Sequence, residues 1–221
     1  MRIRTLTISV VLAFLSACVS TDRAGAKQVS AVATAKLPNL DHHHETFDSA
    51  DGLKIFHQWW RPTTEPKAVL VIVHGLKDHS SRYELLAKAV AARGVAVYAL
   101  DLRGHAHSEG ARVWAASFDD YLGDIERLFQ RVATLHPGKP VFLMGHSMGG
   151  AIATLYTLTR KPELRGLILS GPALKVGSDI SSFLAGTTKV LGKVTPRLAV
   201  MNLENKSFSR SPAVVASMDS D

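Results

Sequence analysis

Runs of uninterrupted apolar residues recur along the middle of the chain, at positions 68–73, 95–100, 140–144 and 166–170. Each is short and rich in Val, Ile, Leu and Phe, the composition of a strand buried on both faces in a parallel sheet. Between them the apolar positions change period. Tyr83, Leu86, Ala87 and Val90 recur at helical spacing, with Ser80 and Ser81 as cap candidates and Gly94 as a stop. Phe118, Leu122, Ile125, Phe129 and Val132 mark a second helix. Ser117 caps it, Asp119 and Asp120 sit in its first turn, and His136-Pro137-Gly138 ends it. A small-residue helix starts near Ala151. Upstream, residues 46–48 and 53–60 flank Asp51-Gly52 and predict a hairpin. Alternating strands and helices with short connections predict an α/β fold with a doubly wound, mostly parallel sheet. In such a sheet the site lies at the carboxyl ends of the strands.

One sequence stands at that edge. The strand at 140–144 runs directly into Gly145-His146-Ser147-Met148-Gly149-Gly150, and a helix runs directly out of it. Strand, Gly-x-Ser-x-Gly and helix in that order make a nucleophile elbow. Gly145 and Gly149 stand where a Cβ would collide around the sharp turn. Ser147 is thereby presented for attack, and the backbone N–H of Met148 sits beside the reacting carbonyl. His146, by its place in the elbow, is expected to point away from Ser147.

Length and composition narrow the setting. With 221 residues, 46% of them hydrophobic, the chain can bury one sizeable core. The formal charge is +7, but Lys and Arg are scattered, which argues against nucleic acid as a partner. The one cysteine is Cys18, so no intrachain disulfide forms. Arg2 and Arg4, an apolar run at 8–15 and Leu15-Ser16-Ala17-Cys18 read as a secretory signal over 1–17. The last four residues are similar to a bacterial lipobox. That likeness implies lipidation at Cys18, which anchors the chain to a membrane, in the outer membrane or at the cell surface of a Gram-negative cell. Residues 18–40 read as the anchor and a flexible tether, 41–172 as the core, and 173–221 as the start of a helical cap. His42, His43 and His44 are adjacent, so they point alternately to opposite faces of an extended chain. They read as a solvated lead-in to the first strand, and no metal or other cofactor is expected.

Four segments carry a family resemblance. They are His74-Gly75 with His79-Ser80-Ser81-Arg82-Tyr83, Asp101-Leu102-Arg103-Gly104-His105 with Ser108-Glu109-Gly110, the elbow itself, and Ser209-Arg210 with Ser211-Pro212. From about Thr46 onward the chain resembles the α/β-hydrolases of the monoacylglycerol lipase and lysophospholipase group. Ala106 departs from the pattern, where the group has glycine. The resemblance implies an acyl-enzyme on Ser147, an oxyanion hole made by the N–H groups of Leu76 and Met148, and an acylglycerol or lysophospholipid substrate. It implies that His74 braces the oxyanion loop, and that Phe183, Leu184, Val190 and Leu191 wall an acyl tunnel in the cap.

The group orders its triad Ser, then Asp or Glu, then His. This chain has ten histidines, and the last is His146. The expectation is therefore a C-terminally truncated copy of a longer hydrolase, with an incomplete sheet and the triad Asp and His missing. Three readings stay open: a membrane-tethered serine ester hydrolase, a non-catalytic remnant or lipid-binding lipoprotein, and a related esterase, peptidase or haloperoxidase-like enzyme.

Overall fold

The computed structural model describes residues 40–175 and 211–219. The signal segment, Cys18, the tether up to residue 39, Ser209-Arg210 and the four expected tunnel-wall residues lie outside the described residues.

Six strands form one sheet: β1 (Leu40–Asp48), β2 (Lys54–Pro62), β3 (Ala68–Val73), β4 (Val95–Leu100), β5 (Val141–His146) and β6 (Gly166–Ser170). Their order is β1-β2-β4-β3-β5-β6. The hairpin β1–β2 is antiparallel and joins β4 antiparallel, while β3, β4, β5 and β6 run parallel. Helices α1 (Glu84–Ala91), α2 (Phe118–Leu135) and α3 (Met148–Arg160) connect the parallel strands. Residues 175–221 form a second compact unit, in which α4 spans Pro212–Asp219.

The continuous apolar runs behave as their pattern requires. Every residue of β3 is buried, and five of the six in β4 are. One face packs Val69, Val71, Tyr98 and Leu143 against Leu122, Ile125 and Leu128 of α2 and Ile152 of α3. The other packs Leu70, Ile72, Val97 and Trp60 against Ala87 and Ala91 of α1. A sheet covered on both faces leaves its strand ends as the accessible edges.

Four local expectations are corrected. The first strand begins at Leu40, so His42, His43 and His44 belong to β1 rather than to a lead-in. Their rings lie against Trp60, Trp59 and Phe56 of β2. The antiparallel register pairs each of them with an aromatic or polar residue of β2, which extends the strand. Second, Ser80 and Ser81 do not cap a helix: residues Ser80–Tyr83 form a 3-10 turn without a side-chain cap, ahead of α1. Ser80 is occupied elsewhere, since its N–H donates to Asp101 Oδ1 at 2.7 Å and its Oγ accepts from Gln58 Nε2 at 2.7 Å. Third, β2 runs on to Pro62, past the expected end at residue 60. Fourth, β6 is not a buried strand. Ile168 is 45% exposed, because β6 pairs with β5 alone among the described residues. The Ser117 cap stands as expected, and Asp120 Oδ2 accepts from the Ser117 N–H to close a capping box.

Candidate active site

The ends of β3, β4 and β5 are neighbours in the sheet, which brings His74, Asp101 and Ser147 to one edge. Ser147 ends the turn from β5 into α3 with φ 50° and ψ −118°, a conformation that a residue with a Cβ rarely adopts. Strain of this kind costs about 1–3 kcal/mol and persists only where the surroundings enforce it. Backbone contacts enforce it here. A Cβ on Gly145 would sit 2.4 Å from the Gly149 carbonyl oxygen, and one on Gly149 would sit 2.3 Å from the carbonyl oxygens of Val73 and His74. Only glycine lets strand, turn and helix approach this closely. Gly75, on the loop after β3, faces the Ser147 side chain, and a Cβ there would lie 3.2 Å from Ser147 Cβ.

His74 is 1% exposed and is held at both ring nitrogens. Nδ1–H donates to the Gly75 carbonyl at 2.7 Å, and Nε2 accepts from the Leu102 N–H at 2.9 Å. An imidazole that both donates and accepts is neutral. Burial pushes its pKa down to about 4, with His105 beside it acting in the same direction and the Gly75 carbonyl opposing. The Gly75 carbonyl and the Leu76 N–H belong to one planar trans peptide, so they point in opposite directions. By holding the carbonyl, His74 turns the Leu76 N–H away from itself. The same rule applies at the elbow. The Ser147 carbonyl accepts from Gly150 N–H at 2.9 Å and Ala151 N–H at 3.2 Å, which directs the Met148 N–H the other way.

The Asp101 loop is tied from below. Asp101 is fully buried, and its Oδ2 accepts from the His107 N–H at 3.1 Å. Ser108 Oγ donates to the Asp101 carbonyl at 2.6 Å and accepts from the Phe56 N–H at 2.9 Å. Ala106 has φ 39°, a left-handed conformation that favours glycine, which gives the family's glycine at this position a physical meaning. Arg103, 4% exposed, reaches Asp124 of α2 through Nε at 2.8 Å and Nη2 at 2.9 Å, Ser49 Oγ at 2.8 Å, and Asp51 at 2.9 Å. Sequence reasoning missed this network. Its signal was Asp124, a carboxylate between Leu122, Ile125 and Leu128 on the apolar face of α2.

His146 lies outside that network. Its Nδ1 is 3.0 Å from the Ser170 carbonyl oxygen, so it faces β6. Among the described residues, no group of three His, Cys, Asp or Glu side chains is placed to hold a metal ion. Nor is any described helix long and apolar enough to cross a membrane.

Residues 64–221 match the family described as serine aminopeptidase, S33 (Hydrolase_4). The chain belongs to this family. The monoacylglycerol lipase of Mycolicibacterium smegmatis is 38% identical over 80% of this chain and 63% of its own length. The human monoglyceride lipase is 36% identical over 78% of this chain and 57% of its own. Among solved structures, the monoacylglycerol lipase of Paleococcus ferrophilus superposes with a TM-score of 0.61 at 32% identity, covering 80% of this chain and 61% of that one. The chain therefore spans about three fifths of the length of the curated relatives it matches. The sheet, its crossover order and the elbow are those of an α/β-hydrolase fold.

Proposed function

We propose that the protein is a serine carboxylic-ester hydrolase acting on monoacylglycerols or lysophospholipids. The observation that carries this is the elbow: Ser147 in a strained left-handed conformation between β5 and α3, at the carboxyl edge of a parallel sheet. The monoacylglycerol lipases among its relatives support the substrate class.

In the proposed mechanism Ser147 Oγ attacks the ester carbonyl and its proton passes to a general base. The carbonyl oxygen gains charge as the tetrahedral state forms. The N–H groups of Leu76 and Met148 form the oxyanion hole, aimed by the hydrogen bonds on the carbonyls of their own peptides. Backbone donors preset in this way lower the barrier because they need no reorganisation as charge develops. Collapse expels the glycerol or glycerophosphoryl alcohol, and water then releases the fatty acid. His74 Nε2 accepts from the Leu102 N–H and His146 faces the Ser170 carbonyl on β6, so neither is the general base of this proposal. We further propose export as a lipoprotein anchored through Cys18, which would hold the enzyme at its lipid substrate.

The test is release of fatty acid from monooleoylglycerol and a lysophospholipid, and of the aniline from an aminoacyl anilide, by the protein of the complete reading frame. Ester turnover abolished by Ser147→Ala is expected. Ester turnover that survives Ser147→Ala would overturn the proposal, and turnover of the anilide alone would shift it to a peptidase.

A further inference from the structure

We propose that His146 is a positioning residue that latches the turn after β6 onto the elbow and so fixes the Met148 N–H. This rests on reading Ser147 as the nucleophile and Met148 as an oxyanion donor. His146 and Ser170 are register partners at the ends of β5 and β6. The Ser170 carbonyl receives two donors, the Ser147 N–H at 3.0 Å and His146 Nδ1 at 3.0 Å. A carbonyl oxygen only accepts, so Nδ1 carries the proton. Ser170 Oγ lies 3.2 Å from the same nitrogen.

Beyond Ser170 the chain turns through Gly171, at φ 50°, and comes back over the elbow. Pro172 packs on Gly150, where a Cβ would lie 2.7 Å from Pro172 Cβ. Ala173 N–H then donates to the Ser147 carbonyl at 2.9 Å. One turn of four residues thus grips Ser147 from both sides, accepting from its N–H and donating to its carbonyl. The α3 donors Gly150 and Ala151 hold that carbonyl along the helix axis, and Ala173 adds a third donor from outside the helix. Because the Ser147–Met148 peptide is planar, every donor on that carbonyl also sets the direction of the Met148 N–H.

The turn starts at the last residue of β6, a half-exposed strand paired with β5 among the described residues. The His146 side chain supplies a second bond to the carbonyl from which the turn starts. Without it, the Ser170 carbonyl loses one of its two donors and keeps the Ser147 N–H. His146 therefore acts through Ser170 and Ala173 on the oxyanion donor, and takes no part in proton transfer.

The test compares His146→Phe and His146→Leu, which remove the donor, with His146→Asn, whose Nδ2–H falls close to the place of Nδ1–H. All are made in the protein of the complete reading frame. For a monoacyl ester, the donorless variants are expected to lower kcat about tenfold with KM within about twofold, the pattern of a misaimed transition-state donor. His146→Asn is expected to restore kcat. A second readout needs no turnover: hydrogen exchange at the Ser147 N–H, followed by NMR, speeds up in the donorless variants and returns to normal in His146→Asn. Native exchange and native kcat in either folded donorless variant overturn the proposal. So does an Asn variant as impaired as the Phe variant. Failure of the parent reading would appear separately, as turnover that survives Ser147→Ala.

Discussion

Replacing Asp124 by Asn changes one heavy atom in the interior and removes one charge, yet the loss of stability should be large. Asp124 is fully buried and Arg103 is 4% exposed. The carboxylate accepts both Nε and Nη2 of Arg103, and Ser49 Oγ donates to its Oδ1 at 2.5 Å. The burial cost of the guanidinium is offset mainly by this bidentate pair, which holds the Arg103 pKa above its ordinary value. In Asp124→Asn the cation keeps Asp51, which is 51% exposed, and Asp120 at 3.7 Å. Such half-exposed partners are worth up to about 1 kcal/mol each. Breaking a buried pair by removing one partner costs about 3–5 kcal/mol, so the net expectation here is roughly 3 kcal/mol. That is a large part of the stability of an ordinary domain, about 5–15 kcal/mol. The cost arises from the stranded charge, so Arg103→Met combined with Asp124→Leu should recover most of it. The assay is equilibrium urea unfolding of wild type, the single variant and the pair, followed by circular dichroism. A loss below about 1 kcal/mol in Asp124→Asn, or a double variant no better than the single one, would refute the reasoning. The network joins the β1–β2 turn, the Asp101 loop and α2, so its loss should also loosen the site edge.

Acid should weaken the fold well before the carboxylates titrate. Burial lowers the pKa of His57 and of His74 to about 4, although Glu45 beside His57 opposes its shift. The unfolded state, with histidines near 6.5, then binds more protons as pH falls, so stability present above about pH 6.5 is lost on the way down to about 4. At pH 5 that amounts to roughly 2 kcal/mol for each histidine, and His57→Phe should flatten the curve measured by urea unfolding across that range. A stability that stays level from pH 7 to 4.5 would contradict this. Gly149→Ala should cost several kcal/mol, because its methyl group would meet two carbonyl oxygens at 2.3 Å. A thermal melt within about 2 °C of wild type would refute that steric argument.

Several features were open to reading along the chain because they depend on neighbours in sequence. Apolar runs at 68–73 and 95–100 could only be strands covered on both sides, and they are. Ser117 caps α2 through a bond to its own first turn. The elbow was legible because strand, Gly-x-Ser-x-Gly and helix are contiguous, and the Gly145 requirement is a clash with the Gly149 carbonyl four residues on, whereas Gly149 is squeezed by Val73 and His74 from the neighbouring strand.

Other features depended on contacts that sequence distance hides. Ser80 resembled a helix cap, but its Oγ accepts from Gln58 Nε2 on β2 and its N–H meets Asp101 across the sheet edge. Three histidines looked like a polar approach to the first strand. Antiparallel pairing with β2 drew them into β1, because Trp60 and Trp59 lie opposite His42 and His43 and the Phe56 ring lies against His44. Asp124 was an unexplained carboxylate on an apolar face until the fold brought Arg103 against it. The sequence by itself determined the sheet, its edge and the place of Ser147, since periodicity and the elbow are short-range physics. Tertiary structure alone decided what holds that serine in place: Ser170 on its N–H, Ala173 on its carbonyl, and His146 on Ser170. Those partners lie far apart in sequence, and only the register of β5 and β6 and the turn that follows bring their hydrogen-bonding groups to about 3 Å.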